Sequence, residues 1–330
     1  MNEYVLGIET SCDDTSAAVV NRNGEVRSSV IISQNKIHSD YGGIYPEFAS
    51  RAHIQNIIPT INQALSDSSI NLKDIKAIGV TRGPGLVGSL LVGLNTATAI
   101  GFGWKKQVIG VNHLRGHIRS AELEGNIITY PALVLLVSGG HTLLAYMKSK
   151  FDIILLGETR DDSVGEAYDK VGRMLDLGFP AGALVDKLAK SGNPLIEFPR
   201  PLVNEGLEFS FSGLKSAVAR YIDSTDNLVI ENIAASFVQS VMDTLITKCG
   251  RALNTHSYKS LVIVGGVAAS PQLREMSRQL CDVHGIELFL PPIRWSTDNA
   301  AMIALATWDY LDKGIYQEPK AQLRLSLTEF

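Results

Sequence analysis

The sequence predicts an α/β protein built from two similar halves. The first observation is a unit of apolar strand, small polar turn and second apolar strand. It occurs at Tyr4–Glu9, Thr10 to Ser16 and Ala17 to Val20, and returns at Pro131 to Val137, Ser138 to Thr142 and Leu143 to Met147. The second is that each copy runs on into alternating helical and strand patterns, the signature of α/β layers. Two polar turns on two similar strand pairs suggest two half-domains holding one phosphorylated ligand.

The elements follow in order. Tyr4 to Glu9 is a buried strand, and Asn23-Gly24 is a hairpin turn between the second strand and a third at Val26 to Ser33. Pro46 to Ser66 reads as a helix with Ile54, Ile57, Ile58, Ile61 and Leu65 on one stripe. Ala77 to Val80 is a short strand. The loop Thr81-Arg82-Gly83-Pro84-Gly85 leads into an apolar helix from Leu86 to Phe102, and Val108 to Val111 is the next strand. In the second half, strands cover Ala132 to Val137, Thr142 to Met147 and Ile153 to Leu156, and a helix follows from Ser163 to Leu175. Leu177 to Leu214, rich in Gly, Pro and small residues, is too apolar for a disordered linker and reads as an ordered insertion. Glu231 to Leu253 is a helix, and Ser260 to Val264 a strand ending in Gly265-Gly266. A helix from Pro271 has Ser270 as its N-cap, and Asp298 to Leu311 is the last helix.

The bulk numbers bound the function. A chain of 330 residues can build two cores, and 45% hydrophobic with 19% charged residues is ordinary for a globular protein. No run of about 18 apolar residues occurs, so no membrane span is expected. The N-terminus has no basic n-region and does not read as a signal peptide. Cys12, Cys249 and Cys281 lack paired spacing, which fits a reducing cytoplasm. A formal charge of -4 argues against coating nucleic acid by charge alone.

Several motifs can carry chemistry. His113-Leu114-Arg115-Gly116-His117 places two histidines four residues apart, on one face of a helical turn. They can share a metal ion, or merely cap a helix and bind carbonyls. A metal needs a third ligand. Asp298, opening a helix after a proline-punctuated loop, is the best candidate, although a helix-start carboxylate is also common. Two His and one carboxylate suit Fe(2+) or Zn(2+) with open positions for substrate. Ser138-Gly139-Gly140-His141 can bring backbone N–H groups to a phosphate, or form a plain hairpin turn. Gly265-Gly266 enters a helix, where an anion or adenosine can sit, but lacks the dinucleotide-binding spacing. Glu9, Asp13 and Asp14 end the first strand, where they face a ligand or form a solvated acidic turn. Asp161, Asp162 and Asp169 pose the same question, with Asp169 facing a ribose as one answer. Arg82 contacts an anion or packs on the surface.

The repeated meander resembles the actin-like ATPase and sugar kinase (ASKHA) superfamily, a duplicated fold of two lobes with a central ligand cleft. The expected boundaries are 1–115 for the first lobe, completed by the C-terminal helix at about 298–330, and 116–297 for the second, with the insertion near 177–214. Together the motifs resemble one family within it. Gly7-Ile8-Glu9-Thr10-Ser11-Cys12-Asp13-Asp14-Thr15 and Arg82-Gly83-Pro84-Gly85-Leu86-Val87-Gly88-Ser89-Leu90 are similar to the tRNA threonylcarbamoyladenosine transferase family of the bacterial TsaD type. Leu136 to Thr142, Phe209 to Lys215, Gly265 to Ala269 and Ser296 to Ala301 match it in the same order over almost the whole chain.

The resemblance implies transfer of a threonylcarbamoyl group from threonylcarbamoyl-AMP to the N6 amine of the adenosine next to the anticodon, in tRNAs reading codons that begin with A (t6A modification). It implies His113, His117 and Asp298 as ligands of one divalent metal ion per subunit, Fe(2+) ahead of Zn(2+). It implies Leu136, Val137, Ser138, Gly139, Gly140, Asp169, Gly182 and Asp186 as the adenylate-binding set, with Ser270 in the second Gly-rich turn. Glu9 or Asp13 would orient the amine or take its proton. The implied partners are tRNA, a non-catalytic TsaB-type paralogue and a TsaE-type small ATPase, all in the cytoplasm and none in a membrane. Three positions depart from the family pattern: Arg115 stands where an acidic residue is usual, Ser270 where Asn is, and Ala181 where Gly is. Arg115 lies between the histidines and is expected to face elsewhere on the helix, or else to alter metal affinity or partner contacts. The alternatives are an actin-like ATPase or sugar kinase, which does not need the histidine pair, and a non-catalytic scaffold paralogue, which tends to lack it.

Overall fold

The structure, a computed structural model, describes residues 3–330. Its elements run β1 (Tyr4–Glu9), β2 (Asp14–Asn21), β3 (Val26–Ser33), α1 (Asn35–Ser39), α2 (Pro46–Ser68), β4 (Ile75–Gly83), α3 (Val87–Trp104), β5 (Gln107–Asn112) and α4 (His113–Ser120). They continue as β6 (Ala132–Val137), β7 (Thr142–Ser149), β8 (Asp152–Glu158), α5 (Val164–Met174), α6 (Gly182–Ala189), α7 (Ser212–Ser224) and α8 (Ile230–Leu253). The last are β9 (Ser260–Val264), α9 (Pro271–His284), β10 (Glu287–Phe289) and α10 (Ala300–Lys313). The described residues form two compact units, one of residues 3–127 with 297–330 and one of residues 128–296.

The first unit holds a five-stranded sheet in the order β3-β2-β1-β4-β5, antiparallel across β1, β2 and β3 and parallel from β1 to β4 to β5. Alternation along β1 divides its faces. Tyr4, Leu6 and Ile8 join Ile57 and Ile61 of α2 and Leu90 and Leu94 of α3 in one core cluster. Gly7, pointing the other way, meets α10: a Cβ there would collide with Ala300 O, and one at Gly79 of β4 would strike Thr307. The two missing side chains let α10 lie flush on the sheet. The expected α2 stripe is corrected in part, because Ile54 and Ile58 are exposed while Ala64 joins Ile57 and Ile61 inside. Helix α3 is long and apolar enough to cross a membrane by length and composition alone. Its Leu90, Leu94 and Ala97 lie in the core cluster with the sheet and α2, as in the core helix of a globular unit.

The second unit repeats the plan. Its sheet runs β10-β9-β6-β7-β8, antiparallel across β6, β7 and β8 and parallel from β6 to β9 to β10. Strand for strand, β6 to β10 reproduce β1 to β5, so the fold is a duplicated actin-like one. The stretch expected as an ordered insertion contains α6 and the start of α7, with α6 packed on α8.

Candidate functional site

The candidate metal centre is built where β5 ends. Asn112 caps α4 by accepting a hydrogen bond from Leu114 N, so the helix starts at once and presents His113 and His117 on one face. Gly116 of α4 faces Met302 and Ile303 of α10, and the approach of that helix brings Asp298, just ahead of its N-cap Asn299, to the histidines. Asp298 Oδ1 lies 3.1 Å from His117 Nε2 and 3.5 Å from His113 Nε2. One donor atom from each of the three residues falls within 4.8 Å of the others.

The donors fit a divalent cation on two further observations. His117 is fully buried, yet neither ring nitrogen makes a hydrogen bond among the described residues. Its Nε2 faces Asp298 in poor alignment for one. An orphaned, wholly buried imidazole is costly unless something else satisfies it. His113 is the opposite case. Its Nδ1 lies 3.0 Å from Glu9 Oε2 and 3.3 Å from Ser11 Oγ, which leaves Nε2 as the nitrogen turned to Asp298. A carboxylate that fixes the far nitrogen of a histidine is the usual support of a metal ligand.

The charges point the same way. Burial pushes His113 down, but Asp298 and Glu9 outweigh it and raise the imidazole to about 10. Burial pushes Asp298 up, and the two histidines overcome that, holding it well below the usual carboxylate range. His117 is lowered by burial. Without an ion a protonated His113 balances part of the charge of Asp298 and Glu9, and a dication bound there would take the place of that proton.

Glu9 supports His113 from the first strand. It is fully buried at the end of β1. Its Oε1 accepts from Ser11 N at 2.5 Å and its Oε2 from Thr81 Oγ1 at 2.5 Å, besides His113. Burial raises its carboxyl and the His113 charge more than reverses this, so Glu9 is an anion that holds His113. Asp13 is partly exposed, and burial together with the Asp298 charge raises its carboxyl. Arg82 does not lie on the surface: it is buried, donates to Phe330 O, and its own carbonyl accepts from Gln322 N.

The second unit carries the other residues. Ser138 to His141 forms a tight turn, with Ser138 N bonded to His141 O at 2.8 Å. Ser163, the N-cap of α5, donates to Gly139 O at 2.5 Å, and Thr142 Oγ1 accepts from Val164 N, so the turn is fastened to the start of that helix. Leu136 and Val137 are buried in β6. Gly265, at φ +96°, lies against Val137 O and Ser138 N, so the two Gly-rich turns touch; the positive φ favours glycine there. A Cβ placed at Gly139, Gly140 or Gly182 would meet nothing within 4 Å, which leaves open space over these backbones.

Asp169 Oδ1 accepts from Ala181 N at 2.9 Å, so this carboxylate holds the start of α6. Asp186, on α6, accepts from Tyr168 Oη at 3.0 Å and is raised by burial. Ser270 is the N-cap residue of α9, but its side chain does not cap the helix. Its buried hydroxyl acts on Asp186 and Tyr168 without a well-formed hydrogen bond. Asp161 accepts from Ser210 and Ser212 at the head of α7, and Asp162 pairs with Lys170 and Lys215, so both acids organise that loop.

Comparison with known proteins decides the family. The TsaD family model, tRNA N6-adenosine threonylcarbamoyltransferase, matches residues 25–305. A protein of that name from Staphylococcus haemolyticus is 45% identical over 316 residues, covering 94% of this chain and 92% of the relative. One from Bacillus subtilis is 46% identical over 335 residues, covering 99% and 96%. This chain belongs to the TsaD family.

Among solved structures, HypF of T. kodakarensis superposes with a TM-score of 0.66 at 13% identity, over 96% of this chain and 48% of that one. The activator of 2-hydroxyisocaproyl-CoA dehydratase from Clostridium difficile, with bound ADPNP, gives 0.56 at 15% identity, over 94% and 96%. These agree with the actin-like fold.

The three departures from the TsaD pattern have structural accounts. Arg115 turns away from the metal donors. Its guanidinium carbon lies 3.6 Å from the Phe330 ring centroid, and its Nε donates to Glu329 O at 3.1 Å. Ala181 is fully buried, with its methyl against Gly172, where any Cβ would collide with it. Ser270 keeps a polar group beside Asp186 but reaches less far than an amide. Sequence reasoning missed the support of His113 by Ser11 and by Glu9, which Thr81 holds in turn, and the pairing of Tyr168 with Asp186. The turn Thr10-Ser11 next to Glu9 was the only signal of the first, and no spacing announces the second.

Proposed function

We propose that this chain transfers the threonylcarbamoyl group from threonylcarbamoyl-AMP to the N6 amine of the adenosine next to the anticodon in tRNA. The observation that carries the reading is the unsatisfied His117 facing Asp298 and a Glu9-oriented His113, in a chain that matches the TsaD family over nearly its full length. His113, His117 and Asp298 are assigned as ligands of one divalent ion, Fe(2+) ahead of Zn(2+). When bound, that ion supplies a Lewis acid and a point of attachment for the threonyl part of the donor.

The remaining roles fall to the chain. The backbone over Ser138, Gly139 and Gly140, where open space adjoins the glycines, holds the phosphate of AMP. Asp186 takes a ribose hydroxyl, with Ser270 beside it, while Asp169 keeps Gly182 and the head of α6 in place. The donor is a mixed anhydride and already activated. The amine nitrogen attacks the carbamoyl carbon, the C–N bond forms, the C–O bond to phosphate breaks, and AMP leaves with the electron pair. The nitrogen gives up one proton. Asp13 is the assigned acceptor, because its raised carboxyl lies nearer neutrality than an ordinary aspartate. Rate comes chiefly from holding amine and carbonyl together.

The reading places the protein in the cytoplasm, with a TsaB-type paralogue and a TsaE-type ATPase as partners. It assigns the two compact units as the two functional lobes. Since the donor set is complete, an active enzyme is favoured over a scaffold. The test combines purified protein, the two partners, threonylcarbamoyl-AMP and unmodified tRNA, followed by mass spectrometry of the nucleosides. The expected result is threonylcarbamoyladenosine, and its absence with metal-loaded protein overturns the proposal.

A further inference from the structure

We infer that Tyr41, Tyr45 and Phe48 form a stacking platform for a base of the RNA substrate, with Arg51 reaching its phosphate. The inference rests on the proposed tRNA reaction and concerns a surface the reaction chemistry does not use. The three rings lie together at the start of α2, with centroids 5.0 Å apart for Tyr41–Phe48 and Tyr45–Phe48 and 5.9 Å for Tyr41–Tyr45. Tyr41 is 57% exposed and Tyr45 50%. A shallow hollow of about 230 Å³ beside them is lined by Ile37, Tyr41, Phe48, Arg51, Ala52 and Gln55. Aromatic faces open to water, joined by a guanidinium and an amide, are what a single-stranded base requires: a π-face to stack on and donors for its backbone and edges.

The platform is held in place and connected to the acidic turn. His38, fully buried, bonds Gln34 Oε1 at 3.2 Å through Nε2 and accepts from Tyr45 N at 3.3 Å through Nδ1. It therefore ties the two ends of the aromatic segment together. Gln34 N in turn donates to Asp13 O at 3.2 Å, which joins the segment to the residue assigned to the amine. Arg51 makes an exposed ion pair with Glu47, 2.6 Å long, and such a pair is weak enough to give way to a phosphate. The occupant that fits is a base flanking the target adenosine in the anticodon loop.

The experiment measures binding of a synthetic anticodon stem-loop by fluorescence anisotropy, and the KM and kcat of transfer to it in the reconstituted system. Wild type is compared with Tyr41→Ala, Tyr45→Ala, their Phe counterparts and Arg51→Ala. Loss of one stacked base corresponds to a weakening of about tenfold or more for the Ala variants. It falls on KM, with Phe restoring affinity. Arg51→Ala lowers the salt slope by about one unit. A stem-loop made abasic at the flanking positions removes the difference between wild type and the Ala variants, which tests the platform even where a variant folds poorly. Ala variants that bind the intact stem-loop as tightly as wild type overturn the platform while the transfer reaction stands. So do variants that keep RNA affinity and lose only the added paralogue. Wild type that neither binds the stem-loop nor modifies it overturns the reaction itself, and the platform with it.

Discussion

The charge on individual side chains decides much of this site, and Asp14 shows it next to the metal donors. It opens β2 with a mostly buried carboxyl. Burial first, and the neighbouring Asp13 charge second, push it up to about 7, against a pull from Ser33. The folded chain therefore holds a proton on Asp14 at pH values where the unfolded chain, near 3.8, has lost it. Stability from this group is full below the unfolded value and falls as pH rises through the window up to about 7. Asp14→Asn keeps the shape and removes the ionisation. Its advantage over wild type in urea unfolding of the metal-free protein is expected to grow from pH 4 to pH 7 and then level off. An advantage equal at pH 4 and pH 8 contradicts the assignment. Glu9 illustrates what was hidden at this scale. The histidine spacing was legible because i and i+4 share a helix face. The Glu9–His113 bond joins residues 104 apart and exists only because β1, β4 and β5 lie side by side.

Elements hold these residues, and α4 is gripped from behind by the C-terminal segment. Asn112, its N-cap, donates to Ser326 O at 2.8 Å and Glu329 O at 2.9 Å. Arg115 adds its bond to Glu329 O and its stack on Phe330, while Tyr310 of α10 meets the same ring edge-on. Arg115→Glu puts an anion against those carbonyls. The loss of one charge-assisted hydrogen bond and one cation–π contact is expected to lower stability by about 2–4 kcal/mol, read from urea melts. Residues 322–330 then become accessible to protease, and metal affinity falls as α4 loosens. A variant with wild-type stability and protease resistance rules out the grip. The same scale explains the expectations that failed. Strands were legible because apolar runs such as Leu133 to Val137 have no other place to go. Helices α6 and α7 were not, since they lie in a Gly- and Pro-rich stretch ordered by remote groups. Lys248 of α8 donates to the carbonyls of Leu202, Glu205 and Gly206. Ile54 and Ile58 fit a helical stripe, but periodicity does not say how wide the buried face is.

At the scale of the molecule, duplication gave two equivalent strand frames and evolution filled them differently. The turn after β1 ends in Glu9 and Ser11 and supports a histidine; the turn after β6 ends in Ser138, Gly139 and Gly140 and leaves backbone open. The repeat was legible as two matching strand–turn–strand units, but not this division of labour, because neither turn is specific by itself. The assigned metal ligands and the assigned adenylate-binding residues belong to separate compact units and share no residue. Their binding functions are therefore expected to separate cleanly, whereas transfer needs both. His117→Ala removes one of the three assigned metal ligands from the first unit and leaves Asp186, Tyr168 and the Ser138–Gly140 turn intact. It is expected to lose the metal, by elemental analysis of protein purified and reloaded anaerobically, while retaining AMP affinity by calorimetry. Asp186→Ala is expected to do the reverse, keeping the metal and weakening AMP by about tenfold to a hundredfold, the worth of a hydrogen bond to a charged group. Each variant alone suppresses transfer, and combining them suppresses it no further than the worse of the two, as groups acting on one reaction do. Loss of both ligands in either single variant shows that the two sets are one site and not two.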